Sequence, residues 1–556
     1  MLPEDCESCA CTMTSPRTQQ PPHTSFHLHL AILAAAVVGG CTSLPPGSAF
    51  PRLASAALTN PEQTRIGRQF TTAARDHEGH SAFRIITVGV DGFLIRAQMI
   101  DAAERTLDLQ YYIFRGDETG KLLSTALLRA ADRGVRVRVL VDDGDTLPGD
   151  EQIAGLAAHP SIEVRIFNPF AYRGHRALPR SVEFLLHKGR LDYRMHNKLL
   201  VADNATALLG GRNIGNQYFQ LDPESQFADD DVFAAGPIVT QLSATFDEYW
   251  NSALAIPAEA LQPAHRRSGP VAEHGAHAKA HEGQQLQRLS TDNIDYLKLV
   301  ATGEPYAGLI SGRLPLVWAQ AQVVCDSPDK KQVDQGAHAG RLMRQPVAAA
   351  AGAVRSELLL VTPYFIPAHK ELDMLRDLRN RQVKVSILTN SLESAPDILA
   401  HSGYMRKRSP LLRNGVDLYE IRSLLGNTSG SGQSTSVSRY GTYALHAKLF
   451  VFDRERLFMG SMNFDQRSMH FNTEVGLLID SPELARQTAT RFEAMTQPSN
   501  SYILLLRPLR PGAAPQLQWH TEEGGKVVDY AREPARSIWQ RVKARLLSWL
   551  PLAGEL

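Results

Sequence analysis

The pattern His196-x-Lys198-x4-Asp203 returns 250 positions later as His446-x-Lys448-x4-Asp453, and its tail returns with it, Gly210-Gly211-Arg212-Asn213 becoming Gly460-Ser461-Met462-Asn463. A chain that repeats one chemical pattern at so long an interval is built from two copies of one folding unit. The pattern also constrains local structure. In an extended segment, His and Lys two residues apart point to one face, while Leu199 and Val201 can face a core. A single pair of this kind is ordinarily a satisfied core histidine beside a snorkelling lysine. Two matched pairs with matched tails need another explanation.

The surrounding sequence supports the duplication. Strand-like alternation runs over residues 106–114, 135–141 and 161–167, with helical apolar spacing over 118–132. The same order returns over 357–366, 371–379, 383–388 and 416–421. Strand–helix–strand units predict the α/β class: two α-β-α sandwich halves with pseudo-two-fold symmetry. The chain divides into a leader (1–41), a first unit (68–260), a linker (261–340), a second unit (341–530) and a basic amphipathic C-terminal helix (531–556).

Two histidines, two lysines and two asparagines suit phosphodiester exchange. One imidazole can attack phosphorus and the other can protonate the leaving oxygen, since histidine exists in both states near neutral pH. Lys198, Lys448, Asn213, Asn463 and Ser461 are candidates to hold the phosphate oxygens. No compact His/Asp/Glu cluster suggests a metal pair. His265, His274, His277 and His281 in the linker lack tight ligand spacing and read as a solvated segment. With 59 basic against 58 acidic residues, net charge +1, the basic excess common in nucleic-acid binders is missing.

Four of the five cysteines, Cys6, Cys9, Cys11 and Cys41, fall in the leader, so no disulfide staples the body, where Cys325 stands alone. An apolar run over 30–38, too short to span a bilayer, leads into Val38-Gly39-Gly40-Cys41. This resembles the lipobox of bacterial lipoproteins, with Cys41 lipidated, and a tether over 42–47 follows. Near the other end Trp539, Val542, Leu546 and Trp549 share one helical face, open to an interfacial reading or to packing on the domain. The basic run 406–408 reads as a solvated face, and the Gly/Ser/Thr stretch 426–438 as a loop at the site mouth.

The duplicated motifs are similar to those of the phospholipase D superfamily. Arg194-Met-His-Asn-Lys198, the Gly210 and Gly460 tails, Ile387-Leu-Thr-Asn-Ser391 and Glu533-Pro-Ala-Arg-Ser-Ile-Trp539 most resemble bacterial cardiolipin synthases of the C type. The resemblance implies a duplicated phospholipase D-like fold with both motifs in one active site. It implies the catalytic set His196, Lys198, Asp203, His446, Lys448 and Asp453, with the two aspartates as supports and His196 as nucleophile. It also implies a carboxylate after each motif that orients a histidine: Glu474 in the second half and, by the fit of residues 227–231, Asp231 in the first. No cofactor and no metal are implied. The implied partners are membrane phospholipids, phosphatidylglycerol and phosphatidylethanolamine, at the bacterial envelope. A hydrolase with water as acceptor, or a nuclease, remains open on the same scaffold.

Overall fold

The computed structural model describes residues 49–144, 150–173, 177–261, 303–424, 442–508, 510 and 513–550. Cys41, the histidine-rich segment 263–285 and the stretch 426–438 lie outside the described residues.

In the first half β1 (Ser81–Ile86), β2 (Thr106–Tyr111), β3 (Arg136–Asp142), β4 (Ile162–Phe167), β5 (Lys198–Ala202) and β6 (Thr206–Gly210) are followed by a short β7 (Ser225–Ala228), then β8 (Asp231–Ala235) and β9 (Ala255–Pro257). The second half repeats them as β10 (Val317–Cys325), β11 (Glu357–Val361), β12 (Lys384–Asn390), β13 (Asp417–Ile421), β14 (Thr442–Leu445), β15 (Leu449–Phe452), β16 (Arg456–Gly460) and β17 (Val475–Asp480). β18 (Ser501–Pro508) pairs antiparallel with β13 as β9 does with β4, and β19 (Pro515–Glu523) and β20 (Lys526–Tyr530) extend the sheet beyond it. Hydrogen bonding orders the first half β1-β8-β6-β5-β2-β3-β4 and the second β10-β17-β16-β15-β11-β12-β13, the same topology twice. β1 and β10 pair antiparallel, Ala82 opposite Trp318, so the two sheets are continuous across the pseudo-two-fold.

The boundaries of the second unit therefore need correcting. β10 is the counterpart of β1 and lies inside the stretch read as linker, so that unit opens near residue 317 rather than 341. The first unit likewise begins earlier than 68, within α1 (Arg65–Ala73).

Helices fill three layers. α2 (Gly89–Ala102) and α3 (Glu118–Asp132) cover the outer face of the first sheet, with Leu94, Ile95, Met99, Leu123 and Leu127 buried against Leu107, Leu109, Val137 and Val139. α4 (Ala177–Leu186) stands apart from that core. α5 (Pro237–Trp250), with proline in its first turn, lies in the central layer with α9 (Pro482–Met495), whose N-cap Ser481 accepts from the Leu484 N–H at 3.2 Å. The outer face of the second sheet is covered by α6 (Arg344–Gly352), α7 (His369–Asn380) and α8 (Ile398–Met405), and α10 (Ile538–Ser548) closes the chain. The central core takes Phe246 and Trp250 from α5, Ala485 and Phe492 from α9, Leu199 and Val201 from the first sheet and Val451 and Leu477 from the second. Each fully buried large apolar side chain there contributes roughly 1.5–3 kcal/mol, so the halves are held as one body.

Candidate active site

Each histidine lies where its own half meets the other. The His196 N–H donates to the Thr473 carbonyl at 2.9 Å, and the Thr473 N–H returns to the Arg194 carbonyl at 2.9 Å. On the opposite side β14 pairs in parallel with β7, and the His446 N–H donates to the Ala228 carbonyl at 2.7 Å. The residue before each histidine is pinned as well. Asp142, last in β3, accepts from the Met195 N–H at 2.8 Å, and Asn390, last in β12, accepts from the Leu445 N–H at 2.8 Å. Asp142 also holds the Arg194 guanidinium at 2.9 Å.

These crossings set each imidazole against a carboxylate of the other half. His196 Nδ1 lies 2.9 Å from Glu474, and His446 Nδ1 lies 2.6 Å from Asp229. The expectation for Asp231 is thereby corrected. Its carboxylate faces Arg96 at 2.8 Å and Arg212 at 3.1 Å, away from either histidine. Strand register gives the reason: Gly210 pairs with Asp231 where Gly460 pairs with Gly476, and two residues upstream stand Asp229 and Glu474. The carboxylates are equivalent in the sheets although their spacing along the chain differs.

The site is buried and rich in cations. His196, Lys198, His446 and Lys448 are all buried. Lys448 Nζ reaches 2.8 Å from His446 Nδ1, and Lys198 Nζ donates to the His196 carbonyl at 2.6 Å. Burial, then the neighbouring ammonium groups, hold His196 well below the ordinary histidine range and bring His446 down to about 3. Burial likewise lowers Lys198, and lowers Lys448 to about 8. Burial pushes Glu474 up to about 7, whereas His446 and Lys448 outweigh burial and keep Asp229 below the usual carboxylate range. A phosphodiester anion bound among these groups would offset the ammonium charge and favour an imidazolium. Tyr112 stands edge-on to His196 at 5.0 Å between ring centroids, and Tyr218 to His446 at 5.2 Å. Neither aromatic wall was singled out by the motif.

The motif aspartates do different work from their neighbours. Asp203 and Asp453 each hold φ above 50° as the first central residue of the tight turn joining β5 to β6 or β15 to β16. That left-handed region is one Asp tolerates well. The Asp203 carboxylate accepts the N–H groups of Glu104, Arg105 and Thr106, each at 2.8 Å, and Asp453 takes those of Arg355, Ser356 and Glu357. They anchor the starts of β2 and β11, and neither faces the histidines, so the candidate set narrows to the histidines and lysines.

Ser461 also departs from expectation: its hydroxyl donates to Glu474 at 2.5 Å and accepts from the Val475 N–H at 3.0 Å, which places it behind the carboxylate rather than at a phosphate. Asn213 donates to the Tyr218 hydroxyl at 2.8 Å and accepts from the Ile113 N–H at 3.2 Å. Asn463 is buried with its side-chain oxygen unpartnered. At Gly211, the position matching Ser461, an added Cβ would fall within 3 Å of all three Asp229 carboxyl atoms. Gly211→Ala is expected to displace Asp229 from His446 and lower kcat by about 10- to 100-fold with little change in KM, a split that steady-state kinetics would show.

Among the described residues no group of three or more His, Cys, Asp or Glu is placed to hold a metal ion, and no helix is long and apolar enough to cross a membrane.

The geometry can be set beside known proteins. A family model described as "Cardiolipin synthase, PLD-like domain" matches residues 97–250 and 349–496. Cardiolipin synthase C of Escherichia coli (strain K12) is 35% identical over 503 residues, 90% of this chain and 99% of that protein. The major cardiolipin synthase ClsA of Bacillus subtilis (strain 168) is 26% identical, covering 74% of this chain and 67% of its own. Among solved structures, a phosphatidylserine synthase of Haemophilus influenzae Rd KW20 aligns with TM-score 0.48 and 13% identity, over 78% of this chain and 92% of its own.

Proposed function

Since this chain belongs to the cardiolipin synthase family of phospholipase D-like enzymes, we propose that it transfers a phosphatidyl group between membrane phospholipids through a phosphohistidine and forms cardiolipin. The observation that carries this reading is the pair of buried histidines, each backed by a carboxylate of the opposite half and flanked by a buried lysine.

The steps follow from that arrangement. With Glu474 accepting the Nδ1 proton, His196 Nε2 keeps its lone pair and attacks phosphorus. The bond from phosphorus to the headgroup oxygen breaks, and His446 delivers a proton to that oxygen. Lys198 and Lys448 hold the non-bridging oxygens, whose charge grows in the trigonal-bipyramidal transition state. Neutral His446 then takes the proton from a glycerol hydroxyl of phosphatidylglycerol. That oxygen bonds to phosphorus as the N–P bond breaks. Cardiolipin is released, and the earlier leaving group is glycerol or ethanolamine according to the donor.

Water could serve as the second nucleophile on the same scaffold, so a synthase must bind a glycerol headgroup closely and restrict water. The full-length likeness to a cardiolipin synthase favours the lipid acceptor. The same likeness and the lipobox-like residues before Cys41 support a place on the bacterial envelope membrane, with Cys41 as anchor. Purified protein in mixed phosphatidylethanolamine and phosphatidylglycerol vesicles is expected to form cardiolipin, and to keep doing so in EDTA because lysines carry the phosphate charge. Thin-layer and mass analysis of the lipids decides it. Phosphatidic acid as the main product with phosphatidylglycerol in excess would make the enzyme a hydrolase, and activity lost to EDTA and restored by a divalent ion would refute the lysine account.

A further inference from the structure

Two helices outside the catalytic centre turn their polar faces to the protein and their apolar faces out. On α4, Leu178 is 75% and Leu185 72% exposed, with Val182 and Leu186 each 47% exposed, all on one helical face. The other face is fastened: Arg180 reaches the Asp143 carbonyl and lies 4.0 Å over the Phe170 ring, while Glu183 accepts the N–H groups of Ala171 and Tyr172. On α10, Trp539 is 80% and Trp549 74% exposed, with Ile538, Val542 and Leu546 beside them. Its inner face buries Ala544 and donates from Gln540 to the Leu392 carbonyl at 2.7 Å. The sequence left α10 open between interfacial and packed, and the tryptophan face is not packed.

The two helices hang from equivalent places. Asp143, which holds α4, follows Asp142 at the carboxyl end of β3, the residue that pins Met195 beside His196. Leu392 and Glu393, which hold α10 and its lead-in through Gln540 and Arg536, follow Asn390 at the carboxyl end of β12, which pins Leu445 beside His446. Each half thus carries one outward apolar helix on the connection that leads from its histidine's support.

We propose that α4 and α10 together form the surface that seats this enzyme on a phospholipid bilayer. The proposal rests on the phospholipid reading above and adds the docking elements. Three observations favour a bilayer over a protein partner. One apolar helix hangs from each half, beside the strand end that pins the segment before that half's histidine. Tryptophans lead at both ends of α10, the residue type that settles at headgroup depth. Exposed Arg532, Lys543 and Arg545 border that helix with the charge that anionic headgroups attract.

The test uses the full chain carrying Cys41→Ser, which removes any acyl anchor, and co-sedimentation with phosphatidylethanolamine and phosphatidylglycerol vesicles. Leu178→Ser with Leu185→Ser, and separately Trp539→Ser with Trp549→Ser, should each weaken partitioning about tenfold or more. Because these side chains are exposed, Tm should hold. The ratio of turnover on vesicles to turnover on the same lipids in detergent micelles should fall with binding. In the parent, brominated acyl chains should quench the exposed tryptophans. Partitioning unchanged in both variants, or no quenching, overturns the proposal. So does conversion of a larger assembly to monomer with vesicle binding intact, which would make the faces a contact between copies. Failure of the phospholipid reading looks different: the parent binds vesicles but turns over no lipid even in micelles.

Discussion

His196→Ala and His446→Ala should each lower kcat by about 10⁴-fold or more, since one removes the nucleophile and the other the acid that the remaining steps depend on. A phosphatidyl donor with a p-nitrophenyl leaving group separates the roles, because nitrophenolate departs without a proton. His446→Ala should then release one equivalent of nitrophenolate in a burst and stall, holding the phosphoryl group as an acid-labile N–P adduct on His196. His196→Ala should show neither burst nor adduct. The assignment follows from the carboxylates. An acid needs a partner that stays ionised to support an imidazolium, and Asp229, held below the usual range beside His446, is that partner. Glu474 is pushed up to about 7, so once ionised it is the more basic acceptor for the His196 Nδ1 proton and suits attack. The opposite pattern of bursts would exchange the two roles, and near-normal turnover in either variant would sink the two-histidine mechanism.

The same carboxyl gives the pH dependence its sign. His196 can attack only while Glu474 is unprotonated and accepting the Nδ1 proton, so the active form is the deprotonated one. Below about 7 the burst rate should fall, approaching tenfold per pH unit. The second step, which needs neutral His446, does not oppose this in the burst phase.

Much of this site was legible because the duplication preserves spacing. Lysine, aspartate and asparagine follow each histidine at fixed offsets, so the motifs and the strands beneath them could be read directly. What escaped depends on contacts distant in sequence. The carboxylate opposite His446 was misassigned because Phe227 to Asp229 and Phe471 to Glu474 differ in length, and only the pairing of β6 with β8 and of β16 with β17 restores their equivalence. β10 vanished into a linker because its partners, β1 and β17, lie far along the chain on either side. Arg408 was read as part of a solvated basic run, yet it is buried between Glu420 at 2.7 Å and Glu533 at 2.5 Å, the latter 125 residues away. That clasp also explains the tail beginning at Glu533: it fastens the approach to α10 onto the second half. The roles of Asp203 and Asp453 were legible in kind, as supports, but their turns and the strand starts they hold were not.

Asp231, which the sequence reading chose, and Asp229, which stands beside His446, should separate cleanly on substitution. Asp229→Asn keeps the shape of the side chain but removes the charge beside His446. The Nδ1 proton loses its ionised acceptor, the imidazolium loses its counterion, and kcat should fall by about 10³- to 10⁴-fold, the scale seen when the orienting carboxylate of a Ser-His-Asp triad is neutralised. Asp231→Asn acts elsewhere. It leaves Arg96 and Arg212 buried and short of a counter-charge, at a cost of about 3–5 kcal/mol, the usual penalty for breaking one side of a buried pair. Thermal unfolding should report that loss, while kcat of the folded fraction should change far less than in Asp229→Asn. The split between rate and stability is the discriminating quantity, because both residues lie in one buried segment and general damage would move both together. An Asp231→Asn enzyme with unchanged Tm and a collapsed kcat, beside an active Asp229→Asn enzyme, would return the orienting role to Asp231 and break the equivalence drawn from strand register.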